Sequence, residues 1–180
     1  MIFRNIERNK TQNIMSEIAF KGNKIQTSGS LPSKGSDAKD FKLTTTDLNT
    51  KSLGDYKGKK LILNIFPSVD TGVCAQSVRT FNEKAAALDN TTVLCISRDL
   101  PFAQSRFCAA EGIDNVEMLS DFESGKFGED YGLNMIEGPL KGLHSRAVIA
   151  LDENHNVIYT QQVPEVTEEP DYDKAISNFS

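Results

Sequence analysis

Two apolar runs are continuous enough to be strands buried on both faces: 61–66, and 91–97 with its centre at Val93, Leu94, Cys95 and Ile96. Between them Cys74, Val78, Phe81, Ala85 and Leu88 recur at helical spacing, which predicts a helix opening at Thr71 or Gly72. A second helix is expected from Pro101 to about Ala110, with Ala103, Phe107 and Ala110 as its apolar stripe and Gly112 as its stop. Segment 116–120 reads as a third strand, and Asp121 with Phe122 as the opening of another helical segment. Residues 18–27 read as a β-hairpin turning at Gly22 and Asn23, and the threonine-rich run 41–48 as a strand. Residues 146–151 and 157–163 pair as a hairpin across 152–156, and Pro170 starts a closing helix. Segments 27–40, 52–58 and 132–143 carry the Gly, Pro and Ser expected of connecting loops.

Strand–helix–strand–helix followed by a hairpin and a last helix is the order of a thioredoxin-like domain. The expected fold is therefore α/β, a central mixed sheet flanked by helices on both faces, with an N-terminal β-hairpin. Helical crossovers imply parallel central strands, and the late hairpin adds an antiparallel edge. At 180 residues the chain fits one domain, over 15–180. Residues 1–14 have neither a continuous apolar core nor a small-residue cleavage site, and read as an extension outside the fold.

Charge narrows the partners. With 20 Lys and Arg against 25 Asp and Glu, the net charge is -5, which argues against non-specific nucleic-acid binding. No apolar run reaches the ~20 residues of a membrane helix. Three cysteines, Cys74, Cys95 and Cys108, are too few for a disulfide scaffold in a chain of this length. Without an export signal, a reducing cytoplasmic setting is expected. His144 and His155 have no cysteine at zinc-finger spacing, and no Gly-rich phosphate loop or dinucleotide fingerprint is present, so neither metal nor cofactor is expected.

The candidate chemistry sits where the first buried strand meets the first helix. Cys74 falls in the first helical turn, where free backbone N–H groups and the helix dipole favour a thiolate. The thiolate is the nucleophilic form of a cysteine. Periodicity alone leaves a second reading open, because Cys74 also heads the core-facing stripe. Position at the helix mouth, after Pro67 and Thr71, favours the reactive one. Cys95 lies mid-strand between apolar neighbours and reads as core. Arg79 reads as structural, and Asp70, a carboxylate beside a reactive sulfur, is expected to cap the helix or face solvent.

Pro67, Thr71 and Cys74 match the proline, threonine and cysteine of the peroxiredoxin active-site pattern. The stretch 64–75 around them resembles the thiol peroxidase branch, the atypical two-cysteine peroxiredoxins of bacteria. Segments 99–108 (Asp99 through Cys108), 137–143 and 169–172 are similar to the same branch, so the resemblance covers roughly 15–180.

The resemblance implies a thioredoxin-fold peroxidase that reduces hydrogen peroxide and organic hydroperoxides in antioxidant defence. It implies Cys74 as peroxidatic cysteine, Cys108 as resolving cysteine through an intrachain disulfide, and Thr71, Pro67 and Arg146 as site residues. Thr71 would hydrogen-bond the sulfur and the peroxide, Pro67 would pack over the sulfur, and Arg146 would supply the cation. It further implies thioredoxin as reductant and a homodimer. Two alternatives remain at this point: a thiol–disulfide oxidoreductase acting on proteins, and a binding module with a vestigial site. Because Thr71 stands where a Cys-x-x-Cys motif has its first cysteine, dithiol exchange cannot run from that turn alone.

Overall fold

The computed structural model describes residues 14–179; the expectation for an extension over 1–14 therefore lies almost wholly outside the described residues. Chain order runs β1 (Glu17–Phe20), β2 (Asn23–Gln26), β3 (Lys42–Thr45), β4 (Thr50–Ser52), a 3-10 turn (Leu53–Tyr56) and β5 (Lys60–Ile65). It continues with α1 (Gly72–Ala85), β6 (Thr91–Ser97), α2 (Pro101–Glu111), β7 (Glu117–Ser120) and α3 (Lys126–Asp130). The chain closes with β8 (Ala147–Leu151), β9 (Val157–Gln162) and α4 (Tyr172–Ser177). Seven strands form one sheet in the order β4-β3-β7-β6-β5-β8-β9, and β1-β2 form a separate hairpin.

The centre of the sheet is built as its apolar runs require. β5 pairs with β6 and β6 with β7 in parallel, while β5–β8, β8–β9, β3–β7 and β3–β4 are antiparallel. Because β5, β6 and β7 are successive neighbours, crossovers of one hand place α1 and α2 on the same face. There Val78 and Phe81 of α1, Phe107 of α2 and Ala175 of α4 pack on Ile62, Val93, Cys95, Met118 and Val148. The other face carries Leu61, Leu63, Ile65, Leu94, Ile96 and Leu119 against Phe127, Tyr131, Leu53 and Tyr56. Both faces are thus covered, which is why these strands read as continuous rather than alternating.

Several boundaries differ from expectation, each for a local reason. The N-terminal hairpin turns at Lys21-Gly22, with Phe20 opposite Asn23. Both turn residues have positive φ, 51° and 78°, as a two-residue hairpin turn of matching twist demands. The 41–48 run is strand only over Lys42–Thr45; Asp47 accepts from Thr45 Oγ1 and Asn49 Nδ2, bending the chain back into β4. No helix opens at Asp121. Its carboxylate instead accepts from the backbone N–H groups of Phe127 and Gly128, and α3 begins at Lys126. α4 begins after Asp171, whose side chain caps the Lys174 N–H, rather than at Pro170. On α2, Ala110 is exposed and the buried residues are Pro101, Gln104 and Phe107. Gly112 ends that helix in the left-handed conformation.

The β1–β2 hairpin is fastened to the chain after β9. Ala19 N donates to Pro164 O and Val166 N to Ala19 O. Glu165 accepts from Lys21 N and Gly22 N, and these donors, with those of Thr167, hold its carboxyl down to about 2. This fastening sets Phe20 and Lys21 over the end of the sheet where α1 starts.

Candidate active site

Cys74 is the third residue of α1 and has 0% exposure. Arg146, the residue before β8, is itself 1% exposed and donates from Nη2 to Cys74 Sγ at 3.2 Å. Antiparallel pairing of β8 beside β5 delivers this arginine, since Ala147 pairs with Ile65 at the edge where β5 ends. Arg146 Nε donates to the Val166 carbonyl at 3.0 Å, which fixes the plane of the guanidinium. Its Nη1 is buried without a partner among the described residues. The guanidinium thus places a fixed positive charge beside the sulfur, and its spare Nη1 hydrogens remain available to a ligand.

Behind the helix mouth, β5 carries one polar residue in its apolar run. Asn64 Nδ2 donates to Ser77 Oγ at 3.2 Å, and Ser77 Oγ donates to the Cys74 carbonyl at 2.8 Å. Its amide nitrogen thereby links the sheet to the turn that bears the sulfur, while its Oδ1 is buried without a partner among the described residues.

A cavity of about 300 Å³ opens over this point, lined by Phe20, Lys21, Pro67, Thr71, Gly72, Val73, Leu140, Arg146, Val166 and Thr167. Pro67, Thr71 and Arg146 are therefore brought together with Cys74 beneath them. Thr71 is exposed and precedes α1, and its hydroxyl donates to the Ser68 carbonyl at 3.1 Å rather than to the sulfur. In this state it can offer a ligand its lone pairs; donation to sulfur requires the hydroxyl to turn. Asp70 faces solvent, where it pairs with Arg106 of α2 at 2.9 Å. Arg79 pairs with Glu111 of α2 at 2.8 Å, away from the cavity.

Cys108 is half-buried on α2 and packs against the same core as Cys74, but it lines another groove, with Thr45, Asp47, Asp114 and Glu117 among its walls. Burial pushes its thiol up. Cys95 lies under both helices at 0% exposure, and all three cysteines are free thiols. The sequence reading had missed Asn64, Ser68 and Ser77, whose hydroxyl and amide contacts cross between segments. Only Asn64 carries a signal, as a polar residue inside an otherwise apolar strand.

The fold and site define a class: a thioredoxin-like enzyme built around one guanidinium-bound thiol at a helix mouth. The comparisons agree. The family model described as Redoxin matches residues 33–176. The chain is 58% identical over 163 residues to a thiol peroxidase of Corynebacterium glutamicum, covering 91% of this chain and 98% of that protein. A thiol peroxidase of Mycobacterium bovis is 52% identical over the same shares. Among solved structures, a peroxiredoxin-like protein from Aquifex aeolicus superposes with a TM-score of 0.86 at 38% identity, covering 92% of this chain and 96% of that one. The chain belongs to the redoxin family, and its activity is that of a thiol peroxidase.

Proposed function

We propose that Cys74 is the sulfur that attacks the hydroperoxide and that Cys108 resolves the product. The Arg146 Nη2 contact to Cys74 Sγ at 3.2 Å, with Nη1 left over, carries this reading. The Cys74 thiolate attacks one peroxide oxygen, the S–O bond forms and the O–O bond breaks. The electron pair leaves on the other oxygen, which takes a proton and departs as water or an alcohol. Arg146 and the α1 N-terminus offset charge on that leaving oxygen, and Pro67 and Thr71 shape the cavity above it. Cys74 is then a sulfenic acid. The Cys108 sulfur attacks it, the S–S bond forms, and water leaves. Two electrons from the dithiol of thioredoxin restore both thiols. The apolar walls from Phe20, Leu140 and Val166 suit organic hydroperoxides as well as hydrogen peroxide.

The same reading takes 15–180 as one functional domain in the cytoplasm, working as a homodimer. No helix among the described residues is long and apolar enough to cross a membrane. A peroxide-consumption assay with thioredoxin and its reductase tests the cycle. One equivalent of peroxide is expected to lower the mass of the non-reduced protein by two hydrogens, with peptide mapping joining Cys74 to Cys108. Consumption without that bond would overturn the resolving role, and insulin reduction without peroxide consumption would favour a disulfide exchange enzyme.

A further inference from the structure

One acidic side chain lies beside the reacting turn without a part in the chemistry above. Asp99 follows β6, and the parallel pairing of β5 and β6 brings it to the same sheet edge as the 67–71 turn. Its carboxylate receives three hydrogens. Ser68 Oγ donates to Oδ1 at 2.6 Å, while Val69 N at 2.9 Å and Ser97 Oγ at 2.7 Å donate to Oδ2.

These contacts continue in both directions. Toward α2, Gln104 is fully buried and donates from Nε2 to Ser97 Oγ at 3.1 Å and to the Leu119 carbonyl at 3.0 Å. Toward α1, the Ser68 carbonyl accepts from Thr71 N at 3.2 Å and Thr71 Oγ1 at 3.1 Å. The Thr71 carbonyl accepts from Ala75 N at 2.9 Å, a bond of the first turn of α1. Asp99 thus stands midway between the helix that bears Cys108 and the turn that bears Cys74. A carboxylate suits this place because it only accepts, and the Val69 amide cannot rotate its hydrogen away.

We infer that Asp99 is a positioning residue that acts through Ser68 and Val69 to hold the 67–71 turn against the first turn of α1. Its grip favours the closed form, in which Cys74 stays beside Arg146 and meets peroxide. Because Cys108 lies on the wall of another groove, Cys74 must leave that place for the disulfide to form, and the grip opposes this opening. The two steps of one cycle therefore depend on Asp99 in opposite directions. The inference rests on the assignment of Cys74 and Cys108 made above.

The test is single-turnover kinetics on the full chain, with peroxide oxidation of Cys74 and disulfide formation measured separately by rapid quench and mass analysis. In Asp99→Ala, oxidation is expected to slow about tenfold, since a small misplacement of reacting groups costs that much or more. Disulfide formation from the sulfenic acid is expected to quicken several-fold, because local opening becomes easier. Ser68→Ala removes one of the three contacts and is expected to move both rates in the same directions by less.

Faster oxidation, unchanged oxidation, or both steps slowing together would overturn the inference. If Asp99→Ala fails to fold, Ser68→Ala decides it: opposite shifts support the proposal, and parent-like rates overturn it. Turnover that survives in Cys74→Ser would instead remove the underlying assignment of the reacting sulfur, a result distinct from parent-like Asp99 variants.

Discussion

The mouth of α1 and the middle of β6 each hold a cysteine at 0% exposure, packed in one apolar cluster. At the helix mouth, Cys74 lies in the first turn of α1 with a guanidinium N–H at 3.2 Å. In mid-strand, the one polar partner of Cys95 among the described residues is the Asn64 amide, at 3.5 Å. Burial dominates there and pushes the Cys95 thiol up to about 12; the Asn64 contact opposes this and nearby Cys108 adds to it. Burial is common to both sulfurs. What differs is that a guanidinium reaches Cys74, and the proposed roles of the two cysteines follow that difference.

The largest expected effect breaks the comparison at the sulfur proposed to react. Cys74→Ser is nearly isosteric, and turnover of hydroperoxide is expected to fall at least about a thousandfold while the fold persists. Circular dichroism and peroxide consumption on the same sample check it. Turnover near the parent's would transfer the role to another sulfur.

Next in size is removal of the cation. Arg146→Ala is expected to slow the peroxide step about a hundredfold, the usual loss when a preorganised donor to a developing oxyanion is deleted. Arg146→Lys is expected to recover part of it, because a point charge cannot donate to Val166 and the sulfur as a planar fork does. Stopped-flow oxidation of the two variants reads this directly. Equal rates for Arg146→Ala and the parent would mean that the guanidinium is only a structural filler.

Much of this contrast was legible in the order of residues. The strand at 91–97 and the helix from Pro101 to Gly112 have sharp signals: a continuous apolar run in one, a proline start and a glycine stop in the other. The position of Cys74 in a first helical turn followed from the stripe that begins with it. Arg146 was found through a motif match, since nothing local tells a buried strand-end arginine from an exposed one. Its burial depends on β8 pairing beside β5, a long-range event. The Asp99 contacts were out of reach for the same reason. They join Ser68, Val69 and Ser97, with Gln104 reaching Ser97 from α2, and each residue alone reads as an ordinary loop, strand or helix position. The threonine run at 41–48 failed differently: local β-propensity continued past Thr45, but the Asp47 side chain turned the backbone.

At the inert end, Cys95→Ala is expected to leave peroxide turnover close to the parent's. It is also expected to cost about 1 kcal/mol of stability for the small cavity left behind. A folded variant that lost its activity would show that the mid-strand sulfur takes part in the cycle.

The smallest effect is the most specific to the cause assigned here, and it lies in the alkaline stability of the protein. Burial holds the Cys95 proton to about 12 in the folded chain, whereas an unfolded cysteine releases it near 8.5. Between these values the folded state binds the extra proton, so stability falls as pH rises; it is fully present below the lower value. The parent is expected to lose about 1.4 kcal/mol per pH unit in this window that Cys95→Ala does not lose. Tyr56 and Tyr131, whose hydroxyls burial also pushes up, contribute equally to both proteins and cancel in the difference. Urea unfolding of the two reduced proteins at pH 7.5, 9 and 10 gives the comparison, over a range where each still folds. The parent's advantage at pH 7.5 is expected to shrink and then reverse by pH 10. Parallel curves would mean that Cys95 ionises in the folded chain as easily as in the unfolded one. The proposed contrast between Cys74 and Cys95 would then owe nothing to the desolvation of β6.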